Sequence, residues 1–278
     1  MRRTIAAGLA LAALMTASVA FAQAPSAPAP RRPPAPLKPQ DICAKWATMT
    51  PMRLIVACSE VIRNDPNAAW AYLNRGIAHG ASGDTTRELA DYNKAIELDP
   101  KLANAYQNRA VIAFNNGEFA SAAADFAKAV ELNRDAYAVL FLHLAKAHGG
   151  ETATTELEAN AAKLKVSDWP YPVAELLLGK KTPTAVLTAA TTREQKCEAQ
   201  FYIGEFHAIT SDKAAAEKPL RLAAGLCAKD AVEFTAAIAE LKRLGFGPPK
   251  PRPARPAAAA AQAAGPRPAS ASPPPPAR

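Results

Sequence analysis

The chain has 278 residues, with 33 Lys and Arg against 25 Asp and Glu and a formal net charge of +8. Such a balance suggests an anionic partner, but every acidic residue lies between Asp41 and Glu240, and residues 41–246 carry 23 bases against 25 acids. The part that can fold is slightly acidic, which argues against nucleic acid as a partner and assigns the positive charge to the ends of the chain.

In chain order, the first element is an export signal. Arg2 and Arg3 precede an apolar stretch from Ile5 to Val19 and then Ala20-Phe21-Ala22. A charged start, an apolar middle and an A-x-A site predict a bacterial-type secretory signal cleaved after Ala22. The stretch is shorter than the roughly 20 apolar residues of a membrane helix, so the mature chain is expected to lack an integral span. No cysteine occurs before Cys43, so no lipidated cysteine is expected at the signal's end. The expected location is the periplasm. Residues 23–40 hold seven of the 25 prolines and almost nothing large and apolar, and they read as an extended or disordered linker.

From Asp41 to about Leu244 the pattern is helical. Its strongest feature is self-similarity at a shift of 34: Tyr72 meets Tyr106, Asn74 meets Asn108, Arg75 meets Arg109 and Gly83 meets Gly117. Tyr92 meets Phe126, Ala95 meets Ala129, Glu97 meets Glu131, Leu98 meets Leu132, and Asp65-Pro66 meets Asp99-Pro100. Period and pattern are similar to the tetratricopeptide repeat, a pair of antiparallel helices per unit. The fold class expected is all-α, a superhelix of antiparallel helix hairpins with disordered Pro/Ala-rich termini. Units are predicted at about 41–66, 69–100, 103–134 and 136–165, followed by an insert at 166–192 containing Trp169-Pro170-Tyr171-Pro172. A last unit is predicted at 197–228, a closing helix at 231–244, and a disordered basic tail at 247–278. Gly76 and Ala110 mark close helix crossings, whereas Glu88 stands where a small residue is usual, so the packing there has to adjust.

The four cysteines fit this reading. Cys43 and Cys58 are equidistant from the turn Met49-Thr50-Pro51, and Cys197 and Cys227 from Ser211-Asp212. Residues equidistant from the turn of an antiparallel helix pair lie side by side, which predicts one disulfide in each hairpin in an oxidising compartment. The alternatives are a zinc site, whose ligands are usually closer in sequence, or buried thiols, which leave the symmetry unexplained.

No catalytic pattern appears: there is no H-E-x-x-H, G-x-S-x-G, phosphate loop or dinucleotide glycine motif. His79 and His207 occupy a repeat slot usually filled by a packing tyrosine. His143 and His148 lie five apart on one helix, poor geometry for a shared metal. The expectation is a non-catalytic protein with no cofactor and no metal. A repeat superhelix offers a concave surface instead, and the positions that face it in this family are here Trp70 and Asn74, then Asn104 and Asn108. Asparagine amides can both donate to and accept from the backbone of an extended peptide. They can equally pair with neighbouring repeats.

A narrower resemblance runs through Trp-Pro-Tyr-Pro-Val-Ala-Glu-Leu-Leu-Leu-Gly (169–179), Cys-Glu-Ala-Gln-Phe-Tyr-Ile-Gly-Glu (197–205), Val-Glu-Phe (232–234) and Ala-Glu-Leu-Lys-Arg-Leu (239–244). With the repeats, about 41–244 resembles the bacterial lipoprotein NlpI family. That resemblance implies an often dimeric periplasmic adaptor that gathers murein hydrolases and delivers a peptidoglycan endopeptidase to a protease. The absent lipidated cysteine, the two cysteine pairs and the Pro-rich tails depart from it. Two functions follow as expectations: an adaptor whose groove binds a cell-envelope protein, or a tethering protein whose basic tails grip anionic cell wall or lipopolysaccharide.

Overall fold

A computed structural model describes residues 37–45, 49–164 and 168–247. The expected signal segment, most of the 23–40 linker and the tail from 248 onward lie outside the described residues.

Among the described residues there are thirteen helices and no strand. They are α1 (Pro39–Ala44), α2 (Pro51–Asn64), α3 (Ala69–Ala81), α4 (Thr85–Leu98), α5 (Ala103–Asn116), α6 (Phe119–Asn133), α7 (Ala136–His148) and α8 (Thr154–Ala161). Short α9 (Tyr171–Leu177) and α10 (Pro183–Ala189) fill the insert, and α11 (Arg193–Ile209), α12 (Lys213–Leu226) and α13 (Val232–Arg243) complete the chain. Consecutive helices pack as antiparallel hairpins, α1 with α2 through α7 with α8 and then α11 with α12, and α13 closes the stack. The all-α repeat architecture expected from the 34-residue period is the one found.

Local chemistry sets the boundaries. Pro39 begins α1 two residues inside the predicted linker, because proline suits the first helical turn, where its missing N–H leaves no bond unmade. Asp84, Asp135 and Asp212 cap α4, α7 and α12 by accepting backbone N–H bonds, and Thr192 with Gln195 forms a capping box on α11. Gly83 and Gly117 close the first two repeat turns at φ near +80°, and Ser211 makes the corresponding turn at φ +65° without glycine.

Small residues set the helix spacing. A Cβ on Gly76 would lie 2.7 Å from the Tyr92 ring, and one on Gly204 would lie 2.5 Å from Leu220 Cγ. Around these crossings the largest core cluster runs from Ala110 to Leu241, with Phe126, Phe141 and Phe201 stacked in succession at 5.4 and 5.7 Å between ring centroids. The cysteines form two disulfides, Cys43–Cys58 and Cys197–Cys227, with Cα atoms 4.9 and 5.0 Å apart. Each joins the two helices of one hairpin, the pairing that turn symmetry predicts.

Candidate protein-binding groove

The predicted groove residues sit on first helices of hairpins, Trp70 and Asn74 on α3 and Asn104 and Asn108 on α5, the helices expected to line the concave side of a tetratricopeptide repeat. Trp70 is half-buried and packs on the small core around Cys43, Cys58 and Val61. Asn74 is buried: its Nδ2 donates to the Cys43 carbonyl at 3.0 Å, while its Oδ1 has no hydrogen-bond partner among the described residues. Asn104 is buried at the start of α5, and Asn108 is half-buried and hydrogen-bonds Tyr92. Asn74 and Asn108 therefore both hold the scaffold together, and Trp70 is the largest of the four that keeps partial exposure.

Arg75 and Arg109 align at the 34-residue shift, and their partners emerge only in the fold. Arg75 of α3 makes a two-pronged ion pair with Asp91 of α4 at 2.7 and 2.8 Å, and its Nη1 donates to Ser59 Oγ of α2 at 3.2 Å. One period later Arg109 repeats this with Asp125 at 2.7 and 2.8 Å and with Asn93 Oδ1 at 2.7 Å. Each arginine thus ties its own hairpin to the second helix of the preceding one. Its guanidinium also lies over the tyrosine one turn earlier, Tyr72 or Tyr106, at 5.4 and 5.8 Å. Hydrogen bonding to the aspartate raises the pKa of both arginines, against the opposing effect of burial. The available signal was that Asp91 and Asp125 each lie 16 residues after their arginine. In the unit at 136–165 that arginine slot holds His143, whose pKa burial lowers.

Glu88 shows how an out-of-pattern residue is accommodated. Its carboxyl group lies where a side chain on Gly80 would be, and Tyr92 Oη donates to its Oε1 at 3.1 Å. One repeat later the equivalents are Phe114 and Ala122, both fully buried. Bulk has been exchanged between the two helices, so the pair occupies similar space in both repeats. Burial pushes the Glu88 carboxyl up to about 7, only partly offset by the tyrosine hydrogen bond.

α13 packs on α12, as expected of a closing helix, but also on α11 and on α5. Asn115 Nδ2 of α5 donates to Thr235 Oγ1 at 3.2 Å, Arg243 Nη2 donates to the Phe114 carbonyl at 3.0 Å, and Glu240 approaches His148 of α7. α13 thus contacts three first helices of hairpins, at the C-terminal ends of α5 and α7 and along α11. At the N-terminal hairpin, Met52 and Val56 of α2 are 68% and 62% exposed beside Pro39 and Ile42, an apolar depression away from the inner layer.

Comparison with known families agrees with this geometry. Residues 71–102 and 91–124 each match a family model described as tetratricopeptide repeat. The first takes in α3 and α4, and the second runs from α4 through α5 into α6. Both models describe repeats, and neither describes an enzyme. No curated protein matches the chain. Matched repeats, hairpin stacking and glycine crossings together make this chain an all-α tetratricopeptide-repeat protein, with the matched repeats spanning 71–124.

Proposed function

We propose that the protein is a non-catalytic adaptor of the bacterial periplasm that binds a cell-envelope protein on the inner face of α3 and α5. The observation that carries this is the inner layer itself. Arg–Asp brackets at the 34-residue period hold the first repeats rigid, and the stretch left clear of α13 presents Trp70, a large aromatic suited to anchoring a partner. Two closed disulfides support an oxidising compartment, in keeping with the signal-like first 22 residues. The resemblance to the NlpI family points to a murein hydrolase or a periplasmic protease as the partner. Self-association belongs to the same reading, with the exposed Met52 and Val56 as its contact face; M52D/V56D should abolish any dimer seen by analytical ultracentrifugation.

The test is capture from envelope extract with the intact, disulfide-bonded chain. Wild type should retain a defined envelope protein that W70A loses, with circular dichroism confirming that the variant stays folded. Equal capture by wild type and W70A would move the contact off this face. The tethering alternative rests on the five bases and no acids after residue 246. It predicts salt-sensitive sedimentation with sacculi that disappears on removal of 247–278.

A further inference from the structure

Beneath Phe119, where α7, α11 and α13 meet, lies a polar cluster that repeat packing does not require. Glu205 of α11 is fully buried, and its Oε2 is 2.7 Å from His148 Nε2. Glu240 of α13 is 1% exposed, with Oε2 3.9 Å from the same nitrogen. One donor atom from each of His148, Glu205 and Glu240 falls within 4.8 Å of the other two. The second oxygen of Glu205 and Oε1 of Glu240 are buried without a hydrogen-bond partner among the described residues, while Oε2 of Glu240 is ion-paired with Arg243 Nη1. Buried carboxylate oxygens normally have their bonds made, since leaving one unmade carries its full desolvation cost. The imidazole is fixed in direction: Phe119 stacks on it at 4.7 Å and 10°, and Phe114 meets it edge-on at 5.8 Å.

We propose that His148, Glu205 and Glu240 form a binding site for a divalent first-row transition ion of the zinc type, which fastens the closing helix to the inner layer. Zinc bonds of roughly 2.0–2.2 Å in a tetrahedron separate ligand atoms by about 3.3 Å. The separations of 2.7 and 3.9 Å lie on either side of that value, so side-chain adjustments suffice. One imidazole and two carboxylates suit zinc better than calcium or magnesium, which prefer all-oxygen sets. The cation now beside Glu240 is Arg243, paired with it within one helix turn. Arg243 has a second seat: its Nη2 bonds the Phe114 carbonyl, and its guanidinium lies 4.8 Å over Phe119. If Glu240 turns to a metal ion, Arg243 keeps its Nη2 bond and its contact with Phe119 but its Nη1 loses the carboxylate, so the two cations compete for Glu240. His143, the other histidine of α7, takes no part. The ligands come from three helices, with 57 and 35 residues between them.

The test uses the full disulfide-bonded chain, stripped with chelator and titrated with zinc chloride by calorimetry, with thermal unfolding in parallel. Expected are one ion per chain and a raised Tm in wild type, affinity lower by at least about tenfold in E205Q and H148N, and tighter binding in R243Q than in wild type. Cobalt(II) in place of zinc should give visible bands of a tetrahedral nitrogen–oxygen site that E205Q lacks. Zinc binding unchanged by E205Q, or no saturable binding in either wild type or R243Q, overturns the proposal. R243Q is the safeguard against misfolding of the ligand variants, because its expected effect is a gain.

Discussion

At the scale of single residues, Glu88 and Gly80 give the sharpest consequences. The Glu88 carboxyl is raised by burial from its ordinary 4.5 to about 7 in the fold, so the folded chain holds this proton more tightly than the unfolded one. The associated stability is fully present below pH 4.5 and is lost as pH rises through 7. After allowance for solvent screening of a partly exposed group, wild type should lose about 1–2 kcal/mol between pH 5 and 8 from this residue. E88Q should remove that slope in urea unfolding measured at both pH values; an identical slope would assign it elsewhere. The Gly80 partnership has its own signature. G80A should be close to neutral, within about 1 kcal/mol, because the added methyl displaces only the flexible end of Glu88 and the weakened Tyr92 hydrogen bond offsets alanine's gain in a helix, whereas in an E88A background the same change should stabilise by about 0.5–1 kcal/mol, as alanine does in a helix interior. Glu88 is out of pattern in the sequence, but the sequence does not show the remedy, because Gly80 lies eight residues away on the partner helix and the exchange is visible only when both repeats are compared across the crossing.

At the scale of elements, the helix hairpin was almost fully legible, since period, glycine crossings and turn residues all act within 34 residues. The staples were legible for the same reason: two cysteines equidistant from a turn are neighbours in any antiparallel pair. Loop entropy gives each staple about 3–4 kcal/mol for separations of 15 and 30 residues. C197S/C227S should lower stability by about that amount in non-reducing denaturant melts, with far less change under reducing conditions. The Arg–Asp brackets were half legible, as repeated arginines whose partners sit on the next helix. D125A should cost about 2 kcal/mol and leave Arg109 with Asn93 alone. A double-mutant cycle of R109M with D125A should return a coupling of about 1–2 kcal/mol; a coupling near zero would reduce the bracket to a surface ion pair. The insert was legible only as an interruption. Its prolines do start helices, Pro172 in α9 and Pro183 in α10, but two seven-residue helices are too short to leave a periodic trace.

At the scale of the whole molecule, the position of α13 changes what the superhelix can offer. A closing helix at 231–244 is expected from the need to cover the last repeat. That it also reaches α5 was not readable, because the contacts Asn115–Thr235 and Phe114–Arg243 span 120 and 129 residues and follow from superhelical curvature, which no local pattern encodes. The net charge also takes on a narrower meaning, since the excess of bases lies outside 41–246 and the repeat body is slightly acidic. The surface we propose for binding an envelope protein is accordingly that of the early repeats, around Trp70. The most direct measurement is photocrosslinking in living cells with a photoreactive aromatic residue in place of Trp70, set against the same residue in place of exposed Glu97 on the outer helix α4. Mass spectrometry should find a cell-envelope protein joined at position 70 and absent at 97. Crosslinks from 97 alone, or cytoplasmic proteins captured at 70, would contradict the account.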